Sequence, residues 1–308
     1  VDEFELIRRY FDRANRASDV VVGIGDDGAV VQPHPSKQQV QVIDTLVEGV
    51  HFPRQTRAAD IAYRCVAVNL SDIAAMGATP RWMTLALSIN NADTQWLESF
   101  ASGLFEAADR FKVALIGGDT TAASDITVTI AISGEVEEGK ALLRSGAVAG
   151  DSIYVTGTIG DAAAGLYLLQ SDEDESGEFL TSRFLRPTPR VDVGQALLGK
   201  ASAAIDISDG LVGDLSKLLT ASGVGGEIEV SNLPLSTALC SRFDAEQQRK
   251  FSLTGGDDYE LCFTANASDV EDIAGITKIG CVTSTGDLLC RHHGDIVEVD
   301  ASGYRHFQ

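Results

Sequence analysis

The stretch AAIDISDGLVGDLSKLLTASG, residues 203–223, reads as a strand, an acidic turn and a helix. A strand that runs through a turn into a helix is the unit of an α/β fold, and in open α/β sheets ligands sit beyond the strand ends. The same habit recurs. KVALIGG (112–118) reads as a strand that closes on two glycines and Asp119, and FSLTGGDDYELCFTA (251–265) is read the same way, as a strand end, two glycines and acid. Outward from these, QVQVIDTLVEG (39–49) alternates like a strand, residues 57–76 are helical in period, WMTLALSI (82–89) and DITVTIAISGEV (125–136) read as strands, and 94–111 as a helix. Residues 1–14 read as an amphipathic helix. Beyond the Gly-containing connection GKALLRSGAVAGD, a second series of strands and helices begins at DSIYVTG (151–157). The expectation is α/β with two domains, 1–137 and 138–308.

Composition narrows the function. The chain has 308 residues, 44% hydrophobic and 22% charged, which fits two globular domains. Its net charge of −21 argues against nucleic acid, whose phosphates need a basic face. No apolar run reaches the roughly 18 residues of a membrane span. The five cysteines are scattered with no CxxC pair, which suggests a reduced cytoplasmic protein without a zinc site. The acidic run SDEDESGE (171–178) is expected to be a solvated loop.

Two phosphate-loop lookalikes fail on chemistry. Gly23–Gly28 fits GxGxxG, but AVVQPHPSKQQ follows where a dinucleotide fold needs a helix, and Asp26 and Asp27 would repel a bare pyrophosphate. Gly134–Lys140 fits most of a Walker loop. It is followed by Ala141, without the magnesium-binding hydroxyl, and it is acidic; it reads as a surface hairpin turn. The aspartates carry the stronger signal. Asp27, Asp44, Asp119, Asp206, Asp209, Asp257 and Asp258 follow strand-like runs. Each alone is more often a turn former or a helix cap. Together they suggest a cation, because clustered carboxylates repel. Asp72 shares a helical row with Ile61, Cys65 and Val68, so an acid sits on an apolar face and needs a partner. Hard oxygen ligands with few histidines point to Mg²⁺.

With those segments in hand, the chain resembles the thiamine-monophosphate kinase family, in the superfamily of aminoimidazole ribonucleotide synthetase and selenophosphate synthetase. The resemblance runs through GIGDDGAV (23–30), DTLVEGVHF (44–52), AVNLSDIAAMGA (67–78), LALS (85–88), LIGGDTT (115–121), LLRSGAVAGD (142–151), YVTGTIGDAAAGL (154–166), AIDISDGL (204–211) and GGDDYELCF (255–263). It implies an N-terminal α/β domain whose sheet pairs with its twin in a homodimer, and a C-terminal α/β domain over the nucleotide. It implies ATP and thiamine monophosphate as substrates and several Mg²⁺ ions on Asp27, Asp44, Asp72, Asp119, Asp206 and Asp209. Gly118, Asp119, Arg144 and Ser208 would contact ATP. His51, Asp257 and a C-terminal aromatic, Phe307 or Tyr304, would contact the thiamine phosphate. Two positions depart from the family. Val42 and Ile43 stand where a Ser or Thr often precedes the acid, so only a backbone carbonyl, that of Ile43, would serve the metal there. GGDDYE replaces GGEDYE, so Asp257 is one methylene shorter than Glu. The competing readings are an ATP-dependent synthetase of the same superfamily and a non-catalytic acidic metal-binding protein.

Overall fold

The computed structural model describes residues 3–13, 17–171, 178–284 and 286–299. Contacts divide the chain into two compact units, Val1–Ile73 with Ala78–Gly139, and Ala74–Gly77 with Lys140–Gln308.

In the first unit, α1 (Glu3–Tyr10) leads to a two-stranded ribbon of β1 (Val20–Val22) and β2 (Val30–Val31). β2 lies where a dinucleotide fold would need its helix. Then follow β3 (Lys37–Val47), α2 (Ala58–Ala75), β4 (Thr79–Ile89), α3 (Thr94–Phe111), β5 (Ala114–Ala122) and β6 (Thr127–Glu137). The four long strands form one sheet in the order β3-β6-β4-β5. β4 and β5 are parallel, and α3 supplies the crossover such a pair requires. Asp93 caps α3, its side chain accepting the Trp96 N–H at 2.7 Å.

Alternation along β6 sets the two faces of this sheet. Val128, Ile130 and Ile132 are fully buried, while Thr127, Thr129, Ala131 and Ser133 are only half-buried. Burying each branched side chain contributes about 1.5–3 kcal/mol before chain entropy is counted. Ile61, Val66, Leu70 and Ile73 of α2, with Leu97, Phe100 and Leu104 of α3, are buried to the same degree. Gly134 of β6 sits within 3.0 Å of Ile73 when a Cβ is built on it, so α2 lies on this face. The opposite face is small and polar: Thr45 and Thr129 hydroxyls meet at 2.8 Å, as do Ser88 and Thr121.

The segment read as a surface turn at 134–140 is strand as far as Glu137, and only the residues after it turn. Glu135 is nearly buried because it accepts the His34 N–H at 2.7 Å and faces Arg81 at 3.5 Å. Tertiary pairing with β3 extends the strand through a sequence rich in acid and glycine.

The second unit continues with β7 (Ser152–Thr156), α4 (Asp161–Gln170), α5 (Glu178–Leu185), α6 (Val191–Ala196), β8 (Ala201–Asp206), α7 (Leu211–Ser222), β9 (Gly225–Glu229), α8 (Thr237–Arg242), α9 (Ala245–Thr254), β10 (Leu261–Ala265), β11 (Ile276–Thr283), β12 (Leu288–His292) and β13 (Asp295–Ile296). Its seven strands take the order β13-β12-β9-β11-β7-β10-β8. The sheet is mostly antiparallel, with β12 and β9 parallel. Ile153, Val155, Ile205, Cys262 and Ile279 from the sheet pack with Leu211, Leu215 and Leu218 of α7. FSLT (251–254), read as a strand end, instead closes α9, whose Asp244 and Gln247 form a capping box. Local capping chemistry outweighs the apolar run here.

Among the described residues, no helix is long and apolar enough to cross a membrane. The two aromatics assigned to thiamine, Tyr304 and Phe307, lie outside the described residues, as does most of the acidic run after Ser171.

Candidate active site

The first unit holds its proposed ligands in two places. Asp27 sits in the loop between β1 and β2, where its N–H donates to Asp26 at 2.8 Å. Together with Gly118 and Asp119 of β5 it lines a cavity of about 640 Å³, lined also by Ile7 and Arg8 of α1 and by Phe11 just after it. Gly118 is required there by packing: a Cβ would stand 2.0 Å from the Leu85 carbonyl oxygen of β4.

Asp44 belongs to the second place. It lies within β3, not at its end, opposite the buried Ile130 of β6. It therefore faces α2, and its carboxyl is hydrogen-bonded to that of Asp72. Burial raises the Asp44 pKa, and the bond with Asp72 draws it back only in part. The neighbouring Cys65 thiol is pushed up by burial against the pull of Arg64, and the Asp44 charge adds to that rise. Asp72 is half-buried at the end of the row of Ile61, Cys65 and Val68.

Asp119 pairs in register with Ala86, and Ala86 with Thr129, on the opposite, polar face. Asp44 and Asp119 thus leave the sheet on opposite sides. Ile43, 67% exposed, also lies on the side away from Asp44. His51 follows β3 in a tight turn, and its Nδ1 accepts the Val47 N–H at 3.0 Å. In the neutral ring that leaves Nε2 as the protonated nitrogen.

In the second unit, Asp206 is the last residue of β8 and is buried. The turn after it is held by Asp214 in the first turn of α7, whose Oδ2 accepts the N–H groups of Ser208 and Asp209, both at 2.9 Å. Lys217, one helical turn on, donates to Asp209 at 2.6 Å and Asp214 at 2.8 Å. Burial raises the Asp214 pKa, and the Lys217 contact opposes it. Neither Asp214 nor Lys217 was singled out in the sequence, although DGLVGDLSK places them three apart on a helix.

Asp257 follows α9 and lies alongside this turn, its N–H donating to the Ser208 carbonyl at 2.9 Å. Arg144 is exposed, and its carbonyl accepts the Ser222 hydroxyl at 3.1 Å. Asp206, Ser208, Asp209 and Asp257 are therefore brought together by two neighbouring segments.

Among the described residues, no three His, Cys, Asp or Glu side chains close around a point as a protein cage would. The donor set still fits magnesium, which is commonly held by one or two carboxylates, with water and substrate phosphates completing it. The Asp44–Asp72 pair is the clearest observation: two carboxyls close enough to hydrogen-bond repel once both ionise, and a cation relieves that.

Family models match both halves of the chain: AIR synthase related protein, N-terminal domain, over residues 25–136, and AIR synthase related protein, C-terminal domain, over residues 148–286. The thiamine-monophosphate kinase of Escherichia coli K12 is 46% identical, covering 99% of this chain and 98% of its own. The crystal structure of thiamine-monophosphate kinase from Stenotrophomonas maltophilia K279a has a TM-score of 0.85 at 41% identity over 96% of each chain. A structure described as AaThiL complexed with AMPPCP and TMP has a TM-score of 0.82 at 35% identity over 92% of each chain.

Proposed function

Because the chain belongs to the AIR synthase related family, and within it to the thiamine-monophosphate kinases, we propose a division of labour among its residues for one reaction. The enzyme transfers the terminal phosphoryl group of ATP to thiamine monophosphate, giving ADP and thiamine diphosphate. The observation that carries this reading is the likeness, over 92% of the chain, to a structure bound to AMPPCP and TMP.

The acceptor is a phosphate oxygen. The second pKa of a phosphate monoester is about 6, so the nucleophile is already mostly ionised at neutral pH. No side chain need remove a proton, and no general base is assigned. The obstacle is the approach of two anions within a chain whose own net charge is −21. Magnesium would be held by Asp27, Asp44, Asp72, Asp119, Asp206 and Asp209, with the Ile43 carbonyl assisting; when bound it neutralises the phosphates and fixes their line of approach.

The remaining roles belong to the chain itself. Gly118, Asp119 and Ser208 bind the nucleotide, with Arg144 as its cationic contact. His51, whose Nε2 carries the proton when Nδ1 accepts from Val47, suits a phosphate oxygen of thiamine monophosphate as a donor. Asp257 meets the other end of that substrate, since a carboxylate repels phosphate but accepts from an amino group and attracts a cationic ring. Phe307 is proposed to pack on the thiamine rings. Catalysis is then chiefly positioning and charge stabilisation.

The division at 1–137 and 138–308 assigns metal and ATP binding to the first domain and the cover over nucleotide and substrate to the second. A homodimer through the polar face of the first sheet is part of the proposal, supported by the exposed Ile43 on that face. The cytoplasm is the proposed compartment, supported by five free thiols.

The test offers ATP, Mg²⁺ and a panel of acceptors and follows ADP release. Release with thiamine monophosphate, and not with phosphorylated purine precursors or selenide, is the expected result. Turnover only with another acceptor would favour a synthetase of the same family, and metal binding without ADP would leave no enzyme at all.

A further inference from the structure

We infer that Tyr259 is a positioning residue for the substrate: its phenol holds the Asp257 carboxylate at the angle from which that group meets thiamine monophosphate. The inference rests on the reading of Asp257 as a substrate contact.

Residues 257–260 alternate between two kinds of environment. Asp258 and Glu260 are anchors. Asp258 is 1% exposed and accepts the N–H groups of Gly160 at 2.6 Å and Ala162 at 3.1 Å, at the start of α4. Glu260 is fully buried and takes the Thr156 hydroxyl at 2.5 Å, Arg190 twice at 2.6 Å and Arg183 at 2.8 Å. Asp257 and Tyr259 lie between and beside these anchors, half-buried. Both adopt left-handed backbone angles, φ +71° and +52°. Only four non-glycine residues do so among those described, and two of them fall within residues 257–260. Such backbone persists only where its surroundings over-determine it, and it concentrates at functional sites.

The surroundings here are specific. The Asp257 N–H donates to the Ser208 carbonyl and the Tyr259 N–H to the Ile207 carbonyl, each at 2.9 Å. Gly256 approaches the same turn so closely that a Cβ would stand 2.4 Å from the Ser208 oxygen. The segment is thereby fixed to the turn that carries Asp206 and Asp209. The short Asp257 side chain therefore projects from a fixed backbone, and the angle of its carboxylate depends on the groups it touches. The Tyr259 hydroxyl donates to Asp257 Oδ1 at 3.3 Å. That is at the long end for such a bond. The Asp257 arm is one methylene shorter than the Glu expected from the family, so its reach depends more on its angle.

The experiment uses the full chain and steady-state kinetics on Tyr259→Phe, alone and in an Asp257→Ala background. Removing only the hydroxyl should raise KM for thiamine monophosphate roughly three- to tenfold, with kcat and KM for ATP within about twofold. In the Asp257→Ala background the same change should alter nothing further, because the phenol acts through that carboxylate. Thermal melting of each variant separates this from loss of fold. An unchanged KM in Tyr259→Phe, or an equal factor in both backgrounds, would overturn the inference and leave the kinase reading standing. Absence of thiamine diphosphate from the unsubstituted chain would bring down both.

Discussion

Asp72 shows how much one residue can disclose. Its place on the row of Ile61, Cys65 and Val68 was readable from helical spacing, and so was its need for a partner. The partner turns out to be another acid, Asp44. Two carboxyls in one half-buried place are poor for stability and suited to holding a cation. Asp72→Asn should therefore lower turnover by at least about 100-fold, as should Asp209→Asn, while circular-dichroism melting in EDTA stays within a few degrees. Near-normal rates in both variants at limiting Mg²⁺ would defeat the multi-metal assignment. The opposite facing of Asp44 and Asp119 was not legible. It follows from the register of β3 and β5 in the sheet, and a one-residue change in register reverses every side chain. Lys217 was missed for another reason: nothing in the sequence says that a lysine in α7 reaches back to the turn before its own helix.

Among elements, the segment 257–260 between α9 and β10 ties the second unit together. Its apolar neighbour FSLT was misread because a short apolar run has no period to tell strand from helix, and the capping box at Asp244 is the signal that settles it. Glu260 joins β10 to β7 and to the arginines of α5 and the start of α6. Glu260→Ala leaves two guanidinium groups without it and should cost about 3–5 kcal/mol in urea unfolding. A loss below about 1 kcal/mol would show that the clamp is dispensable. Asp258 adds a pH dependence. Burial pushes its pKa up to about 7, against the pull of the Gly160 and Ala162 N–H groups and of Arg183. A carboxyl raised in the fold favours folding below its ordinary value near 3.8, and that advantage is lost as pH rises through about 7. The urea midpoint should thus fall between pH 5 and pH 8 by more in the unsubstituted chain than in Asp258→Asn. Equal slopes would contradict the assignment.

At the scale of the whole molecule, the alternating strands and helices and the acidic charge were written in the sequence. The mostly antiparallel order of the second sheet was not, because strand order is set by long-range pairing that local patterns do not encode. The acidic charge and the two anionic substrates make a single demand, that phosphate be brought to phosphate and transferred directly. ATP labelled in its γ-phosphate, incubated with Mg²⁺, thiamine monophosphate and the enzyme, measures that transfer. The account predicts that the label appears in the terminal phosphate of thiamine diphosphate, one for each ADP formed. Label released as inorganic phosphate, or ADP formed without labelled thiamine diphosphate, would contradict it.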